Sequence, residues 1–485
     1  MTTPRELRFA IIGAGMAGIL SAIKLQEAGL TDFTIYEKAD RFGGTWRENT
    51  YPGLACDVPS HLYSYSFAPN SEWSHRFSPG DEIRDYFERV AAEHGLAEHA
   101  RFGEGVVRCE FVDGRWHVET TTGRDDVVDV VIAATGVLHH PRYPDIEGLE
   151  EFAGACFHSA RWDHSVPIAG TRLGVVGSGS TGVQIVSAVV DEVAHLSLFQ
   201  RTAQWIMPQE NPPYTEEQKA SYRADARQLE EMHAHLAEMF GMFALAVVDK
   251  DSPQIKMIEE LCAANLETSV RDPELRDRLR PDYRAACKRL VVSPTFYEAI
   301  QAPNAALVTE AIERIERNGV RTRDGVLHEL DVLVLATGFK VNAFTRPITV
   351  IGRNGTNLDD LWAARPLAYL SISVPEFPNF FMLNGPNGPV GNFSLIEVAE
   401  LQFAYVMQLI ERLRSAEYRE ISATAEAMHA FEAERVEATK NTIWVTGCRS
   451  WYLDDRGIPA SWPFSFDRFR AEMAAPRLEA FELRP

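Results

Sequence analysis

Gly13-Ala14-Gly15-Met16-Ala17-Gly18 follows the apolar run Phe9-Ala10-Ile11-Ile12, and Gly177-Ser178-Gly179-Ser180-Thr181-Gly182 follows Leu173-Gly174-Val175-Val176. The same G-x-G-x-x-G string thus occurs twice, each time between a segment that reads as a strand and one that reads as a helix. A single string is weak, because glycines also mark ordinary turns. In this context it has a mechanism: the glycines let backbone approach a pyrophosphate, and the helix N-terminus behind them faces its charge. The expected fold class is α/β, with two dinucleotide-binding, Rossmann-like domains.

The two units differ in charge at one place. At the same distance beyond the third glycine stands Glu37 in the first unit, ending the run Phe33-Thr34-Ile35-Tyr36, and Arg201 in the second. A carboxylate accepts hydrogen bonds from ribose hydroxyls, whereas a guanidinium fits a 2′-phosphate. The first site therefore suits FAD and the second NADP(H). A chain holding both is built to pass a hydride from nicotinamide to flavin.

With 485 residues, the chain is long enough for two or three domains. Residues 1–140 read as the first part of an FAD domain. Residues 141–340 read as an NADP domain with a helical insertion at about 212–286. Residues 341–485, with helical stretches near 396–415 and 424–440, return to the FAD domain, which is then discontinuous. Asp129-Val130-Val131-Ile132-Ala133-Ala134-Thr135-Gly136 closes the first unit, and Asp331-Val332-Leu333-Val334-Leu335-Ala336-Thr337-Gly338 closes the second. These Ala-Thr-Gly endings either carry the chain between domains beside a cofactor or simply terminate parallel strands. The insertion opens on the capping box Thr215-Glu216-Glu217-Gln218, and its Met232, Met239, Phe240, Met242 and Phe243 read as core.

A net charge of −21 argues against a nucleic-acid partner. One stretch is basic: Arg276, Arg278, Arg280, Arg284, Lys288 and Arg289. Its first four members read as a solvated helix face. Six scattered cysteines, with no C-x-x-C and no metal-ligand spacing, exclude a dithiol reductase of the same two-nucleotide plan, give no metal site and point to a reducing cytoplasm. No cleavable leader is read, and no apolar run approaches the ~20 residues of a membrane span.

Four further strings remain. Phe152-Ala153-Gly154-Ala155-Cys156-Phe157-His158-Ser159-Ala160-Arg161-Trp162-Asp163 reads F-x-G-x-x-x-H-x-x-x-W-D; Gly43-Gly44-Thr45-Trp46 leads through Tyr51-Pro52-Gly53 to Asp57; then come Cys287-Lys288-Arg289-Leu290 and Ser450-Trp451-Tyr452. Taken alone, His158 is a histidine packed on Trp162, Asp57 a cap or a loop carboxylate, and Arg289 a surface arginine. Together the strings resemble those of the type I Baeyer-Villiger monooxygenases, a family of class B flavoprotein monooxygenases. Flavin-containing N- and S-oxygenating monooxygenases carry a similar string, usually with Tyr or Phe in place of Trp162, and form the alternative.

The resemblance implies an FAD- and NADPH-dependent monooxygenase that adds O₂ at flavin C4a and uses the peroxide to turn a ketone into an ester or lactone. Thioethers are a second expected substrate class. It implies that Arg289 stabilises the anions, that Asp57 orients Arg289, and that the His158 segment organises the hinge between nucleotide domains. At the cofactors it places Gly13, Gly15, Gly18, Glu37, Gly44, Thr45, Trp46 and Asp57, and in the second unit Gly177, Ser178, Gly179, Ser180, Thr181 and Gly182. Arg201, Thr202 and Lys288 are expected at the NADP phosphate and Trp451 over substrate and nicotinamide. Lys38, Tyr63, Val106 and Gln184 complete the set, and Asn384 to Phe393 are expected to line the pocket. Beyond Tyr452 the chain reads Leu453-Asp454-Asp455-Arg456-Gly457-Ile458-Pro459, unlike the best-known cyclic-ketone members, which leaves the ketone open.

Overall fold

Two five-stranded parallel sheets carry the two glycine turns in this computed structural model, which describes residues 5–391, 393–454 and 456–485. Asn392, in the expected pocket lining, and Asp455, in the tail, lie outside the described residues. In the first sheet the strands run in the spatial order Phe380–Met382, Val130–Ala133, Phe9–Ile12, Phe33–Glu37 and Ala100–Phe102. In the second the order is Ala305–Val308, His195–Phe199, Arg172–Val176, Val332–Leu335 and Ala155–His158. The central strands are buried along their length, as parallel strands covered on both faces must be. The α/β class with two Rossmann-like sheets follows directly, and a late strand, Phe380–Met382, completes the first sheet.

Both glycine turns are built alike. Gly13 and Gly177 have φ of 106° and 112°, in the region that only glycine enters without cost, and each donates its N–H to the neighbouring strand, to Tyr36 and Phe199. A Cβ on either would run into the carbonyl of Ala134 or Ala336. The two Ala-Thr-Gly endings therefore do more than stop strands: their first carbonyls form the floor beneath each turn.

The helical insertion begins as its sequence directs. Thr215 and Gln218 form a reciprocal capping box on the helix Glu216–Ala224. The helices Arg227–Val248, Pro253–Ser269 and Pro273–Arg278 follow. Leu236 and Ala244 of the long helix, with Met232 and Phe240 beside them, pack into the core of the first sheet, while Ala246 and Val247 join a separate cluster with Ile443 and Trp444. An insertion within the second nucleotide unit thus buries its apolar face largely on the first. One residue departs from expectation: Met242 is exposed, because it lies on the opposite face of the helix from Leu236 and Ala244. Three members of the basic stretch pair with the preceding helix, Arg276 and Arg280 with Glu267 and Arg284 with Glu259.

The cysteines also depart from expectation. Cys287 and Cys448 form a disulfide across 161 residues, with Cα atoms 6.2 Å apart. A cross-link of this separation leaves no trace in local spacing, so the scatter of the six thiols did not reveal it. None of the described helices is long and apolar enough to cross a membrane.

Burial makes the fold acid-sensitive. His61, enclosed by Tyr214 and Tyr222 of the insertion, and His139 beside His140 are both pushed down to about 4, chiefly by burial. The folded forms are neutral where the unfolded chain, with a pKa near 6.5, takes up protons, so stability falls as pH drops from about 6.5 toward 4. The melting temperature should decline across this window. His61→Gln, which removes one of the histidines held neutral by burial, should flatten the decline, and an unchanged slope would place the acid sensitivity elsewhere.

Candidate active site

On the first sheet, the helix Met16–Glu27 starts at Gly15 with no side-chain cap and no acidic residue in its first turn. Its first N–H groups are left for an anion. Glu37 sits at the rim, 4% exposed, accepting from the backbone N–H of Ala14 and Ala39 at 2.9 Å each and pairing with Arg47 at 3.0 Å. A carboxylate has about four lone-pair positions, so a ribose hydroxyl can still be accommodated. Gly43 and Gly44 lie over the turn, and a Cβ on Gly15 would come within 3.3 Å of the Gly44 Cα. Thr45 and Trp46 open the short helix Thr45–Glu48, and the Trp46 indole donates to the Tyr63 hydroxyl at 3.2 Å. Lys38 reaches Glu48, and Val106 is buried in the same apolar cluster as Tyr36.

The Tyr51-Pro52-Gly53 turn docks onto the second unit. The Tyr51 hydroxyl donates to Gln184 Oε1 at 2.8 Å, the Gln184 amide donates to the Ala55 carbonyl at 3.0 Å, and Thr181 reaches Tyr51 at 3.4 Å. A Cβ on Gly53 would strike the Gln184 carbonyl. Gln184 and Thr181, expected at a cofactor, here hold the seam between the two nucleotide units, and that seam fixes where Asp57 stands.

Asp57 and Arg289 meet as a bidentate pair, Nε to Oδ2 at 2.8 Å and Nη2 to Oδ1 at 2.5 Å. Two parallel bonds fix the plane of the guanidinium as well as its position. Arg289 is held charged far more firmly than a free arginine, first by Asp57, with burial opposing. A third group, which sequence reasoning did not single out, stands beside them. The buried Tyr452 hydroxyl is pushed up to about 12 by burial, while the neighbouring Arg289 charge pulls the other way. Its signal lay in the Ser450-Trp451-Tyr452 string, where Trp451 drew the attention. Trp451 is 38% exposed and lies against the Tyr452 ring with centroids 4.1 Å apart, so it caps the buried residue and is not core.

On the second sheet, the helix Ser180–Val189 likewise begins at a glycine, Gly179, with no side-chain cap and no acidic residue in its first turn. A Cβ on Gly179 would meet nothing within 4 Å, so the turn is an open cradle. Gly182 closes the helix onto the Gly177 carbonyl, and Ser178 donates to the Thr202 carbonyl at 2.9 Å. Arg201 is exposed; burial, and after it the Arg201 charge, lowers the Lys288 ammonium, which lies 4.5 Å over the Tyr283 ring. Two neighbouring cations match a phosphate dianion. Loss of one charge-assisted phosphate contact costs about 1.5–3 kcal/mol, roughly one to two decades in affinity. Arg201→Ala should therefore raise the KM for NADPH by that factor and leave that for NADH nearly unchanged; equal effects on both would sink the assignment of Arg201.

His158 is satisfied at both nitrogens. Its Nδ1 accepts from the Ala160 N–H at 3.1 Å, which leaves Nε2 to donate to the Gly338 carbonyl at 3.0 Å. It packs edge-on against Tyr143 and Phe339, and Trp162 packs on Phe157 instead of on His158. A helical spacing of four does not bring His158 and Trp162 together because His158 ends a strand. The histidine ties the second Ala-Thr-Gly ending to the segment preceding the second glycine turn.

A family model described as flavin-binding monooxygenase-like matches residues 6–218. An uncharacterised monooxygenase of Mycobacterium tuberculosis is 48% identical over 98% of this chain and 96% of its own length. A Baeyer-Villiger monooxygenase of Streptomyces coelicolor is 38% identical over 99% and 93%. Among solved structures, the NADP+-bound cyclohexanone monooxygenase from Rhodococcus sp. Phi1 is 29% identical and covers 99% of this chain and 100% of its own, with a TM-score of 0.88.

Proposed function

The chain belongs to the Baeyer-Villiger monooxygenase family, and from that premise we propose that it inserts one oxygen atom of O₂ beside a ketone carbonyl, giving an ester or lactone, and also oxidises thioethers to sulfoxides. It is an NADPH-dependent flavin monooxygenase. FAD supplies the centre at which O₂ is activated, and NADPH supplies the hydride. The remaining work falls to this chain's own residues.

One observation carries the proposal: a bidentate Asp57–Arg289 pair where the first nucleotide unit, the end of the insertion and the C-terminal segment converge. A ketone carbonyl attacked by an oxygen nucleophile gathers negative charge on its own oxygen, and a cation already fixed in place stabilises that charge without reorganising. Arg289 provides the cation. Asp57 keeps it oriented, and Tyr452 backs it. Glu37 and the turn at Gly13, Gly15 and Gly18 would hold the adenosine half of FAD, with Lys38, Gly44, Thr45, Trp46, Tyr63 and Val106 along its length. Arg201, Thr202 and Lys288 would hold the NADP phosphate over the Gly177–Gly182 turn, and Trp451 would close over the substrate. In this assignment residues 1–140 and 341–485 serve FAD, residues 141–340 serve NADP, and the enzyme works in the cytoplasm.

The test is product identification with the purified yellow protein, NADPH and ¹⁸O₂ against a panel of ketones and a thioether. One labelled oxygen in an ester is the expected result. Sulfoxide without any ester would favour an N- or S-oxygenating enzyme, and NADPH consumption with neither product would overturn the proposal.

A further inference from the structure

Two segments meet over the Asp57–Arg289 pair, and they are joined twice. One is Cys287-Lys288-Arg289, at the end of the insertion; the other is Cys448-Arg449-Ser450-Trp451-Tyr452, near the C-terminus. At one end Cys287 is bonded to Cys448, and at the other Tyr452 stands beside Arg289. Both cysteines are buried, in one cluster with Trp444 and Tyr452. On reduction the Cys287 thiol would have the Trp444 carbonyl, 3.9 Å away, as an acceptor. The remaining cysteines, Cys56, Cys109, Cys156 and Cys262, are free.

We propose that Cys287 and Cys448 form a reversible cross-link that clamps the Trp451–Tyr452 segment over Arg289 and thereby controls access to the site. Oxidation joins the two sulfurs: each thiol gives up one proton and one electron, the O–O bond of hydrogen peroxide breaks, and two waters leave. Peroxide is the oxidant at hand, since a flavin monooxygenase that consumes NADPH and O₂ without substrate releases it. The cross-link then shuts down an enzyme that is wasting NADPH, and a thiol reductant restores it. The Cα separation of 6.2 Å lies within the span a disulfide bridges without backbone movement. The segment can therefore be locked in the position seen here. With the bond reduced, the segment loses its covalent tie to Cys287 and keeps non-covalent contacts, among them the hydrogen bond from the Ala460 N–H to the Tyr452 carbonyl, and it can open for substrate entry and product release, steps that set turnover in many enzymes.

The gating role rests on Arg289 and Asp57 being the site of oxygen transfer; the cross-link itself does not. Holoenzyme is reduced with dithiothreitol and desalted, and half is treated with hydrogen peroxide and then catalase. Peptide mapping of the oxidised half should contain the Cys287–Cys448 linked peptide, and that of the reduced half should lack it. Trypsin should nick after the exposed Arg449 several-fold more slowly in the oxidised form. Ketone-stimulated NADPH oxidation should fall roughly tenfold on oxidation and recover with dithiothreitol. Cys448→Ser, and independently Cys448→Ala, should show neither effect. Absence of the linked peptide, equal nicking rates, or equal response of wild type and both variants would overturn the proposal. If no ketone stimulates NADPH oxidation in any form, the enzymatic reading fails alone, because linked peptide and nicking are read without substrate.

Discussion

Arg289→Ala retains FAD, accepts hydride from NADPH, and forms no ester: this is the expected result for the residue proposed to stabilise the charge on the ketone oxygen. Hydride transfer places no negative charge on a ketone oxygen, so flavin reduction should survive the loss of this guanidinium. Addition to the ketone does generate one, and removal of a fixed donor at such a position costs about 3–4 kcal/mol, roughly two to three decades in rate. The oxygen equivalents should appear as hydrogen peroxide, in near balance with the NADPH consumed. Arg289→Lys should recover little, because Lys offers a point charge where Asp57 engages a planar fork through Nε and Nη2. Rapid mixing of the reduced variant with O₂, together with ester and peroxide quantitation, checks this. A normal ester yield would show that another group carries the negative charge.

Gly15→Leu yields colourless protein. The backbone at Gly15 is where the first turn opens onto the helix Met16–Glu27, and the Gly44 Cα already lies 3.3 Å from where a Cβ would sit. A leucine there can point only into the space a pyrophosphate needs or into the Gly43–Gly44 loop, and either excludes the flavin. The second sheet is built around its own turn at Gly177, so the variant should still bind NADP+ and keep its secondary structure. Flavin absorbance after purification, circular dichroism and NADP+ titration distinguish loss of the site from loss of the fold. Full flavin content in a folded Gly15→Leu protein would move the FAD site elsewhere.

The sheets, the turns and the helix starts were legible in the sequence because each depends on residues a few positions apart. A strand needs a short apolar run, a Rossmann turn needs glycines at fixed offsets, and a capping box needs Thr215 three residues before Gln218. The cofactor preference was legible for the same reason, since Glu37 and Arg201 sit at one offset from their own turns. The candidate active-site pair was only half legible. Asp57 and Arg289 are 232 residues apart, and taken by themselves each was an ordinary loop carboxylate or surface arginine. Only the likeness of their surrounding strings to a known family singled them out.

What only the tertiary structure decided is how the separate units are brought together. Gln184 and Thr181 lie on the helix behind the second glycine turn, yet their side chains hold the Tyr51-Pro52-Gly53 turn. The insertion reads as a self-contained helical block, yet its long helix packs on the first sheet and leaves Met242 exposed. Cys287 and Cys448, scattered in the chain, are bonded beside Arg289. In each case the local pattern is equally compatible with other partners, because periodicity states which face of an element is apolar and not what covers it. By itself the sequence determined two Rossmann-like units and the glycine turn that opens each. The packing of one unit on the other, through contacts between residues more than a hundred positions apart, decided where their chemistry meets.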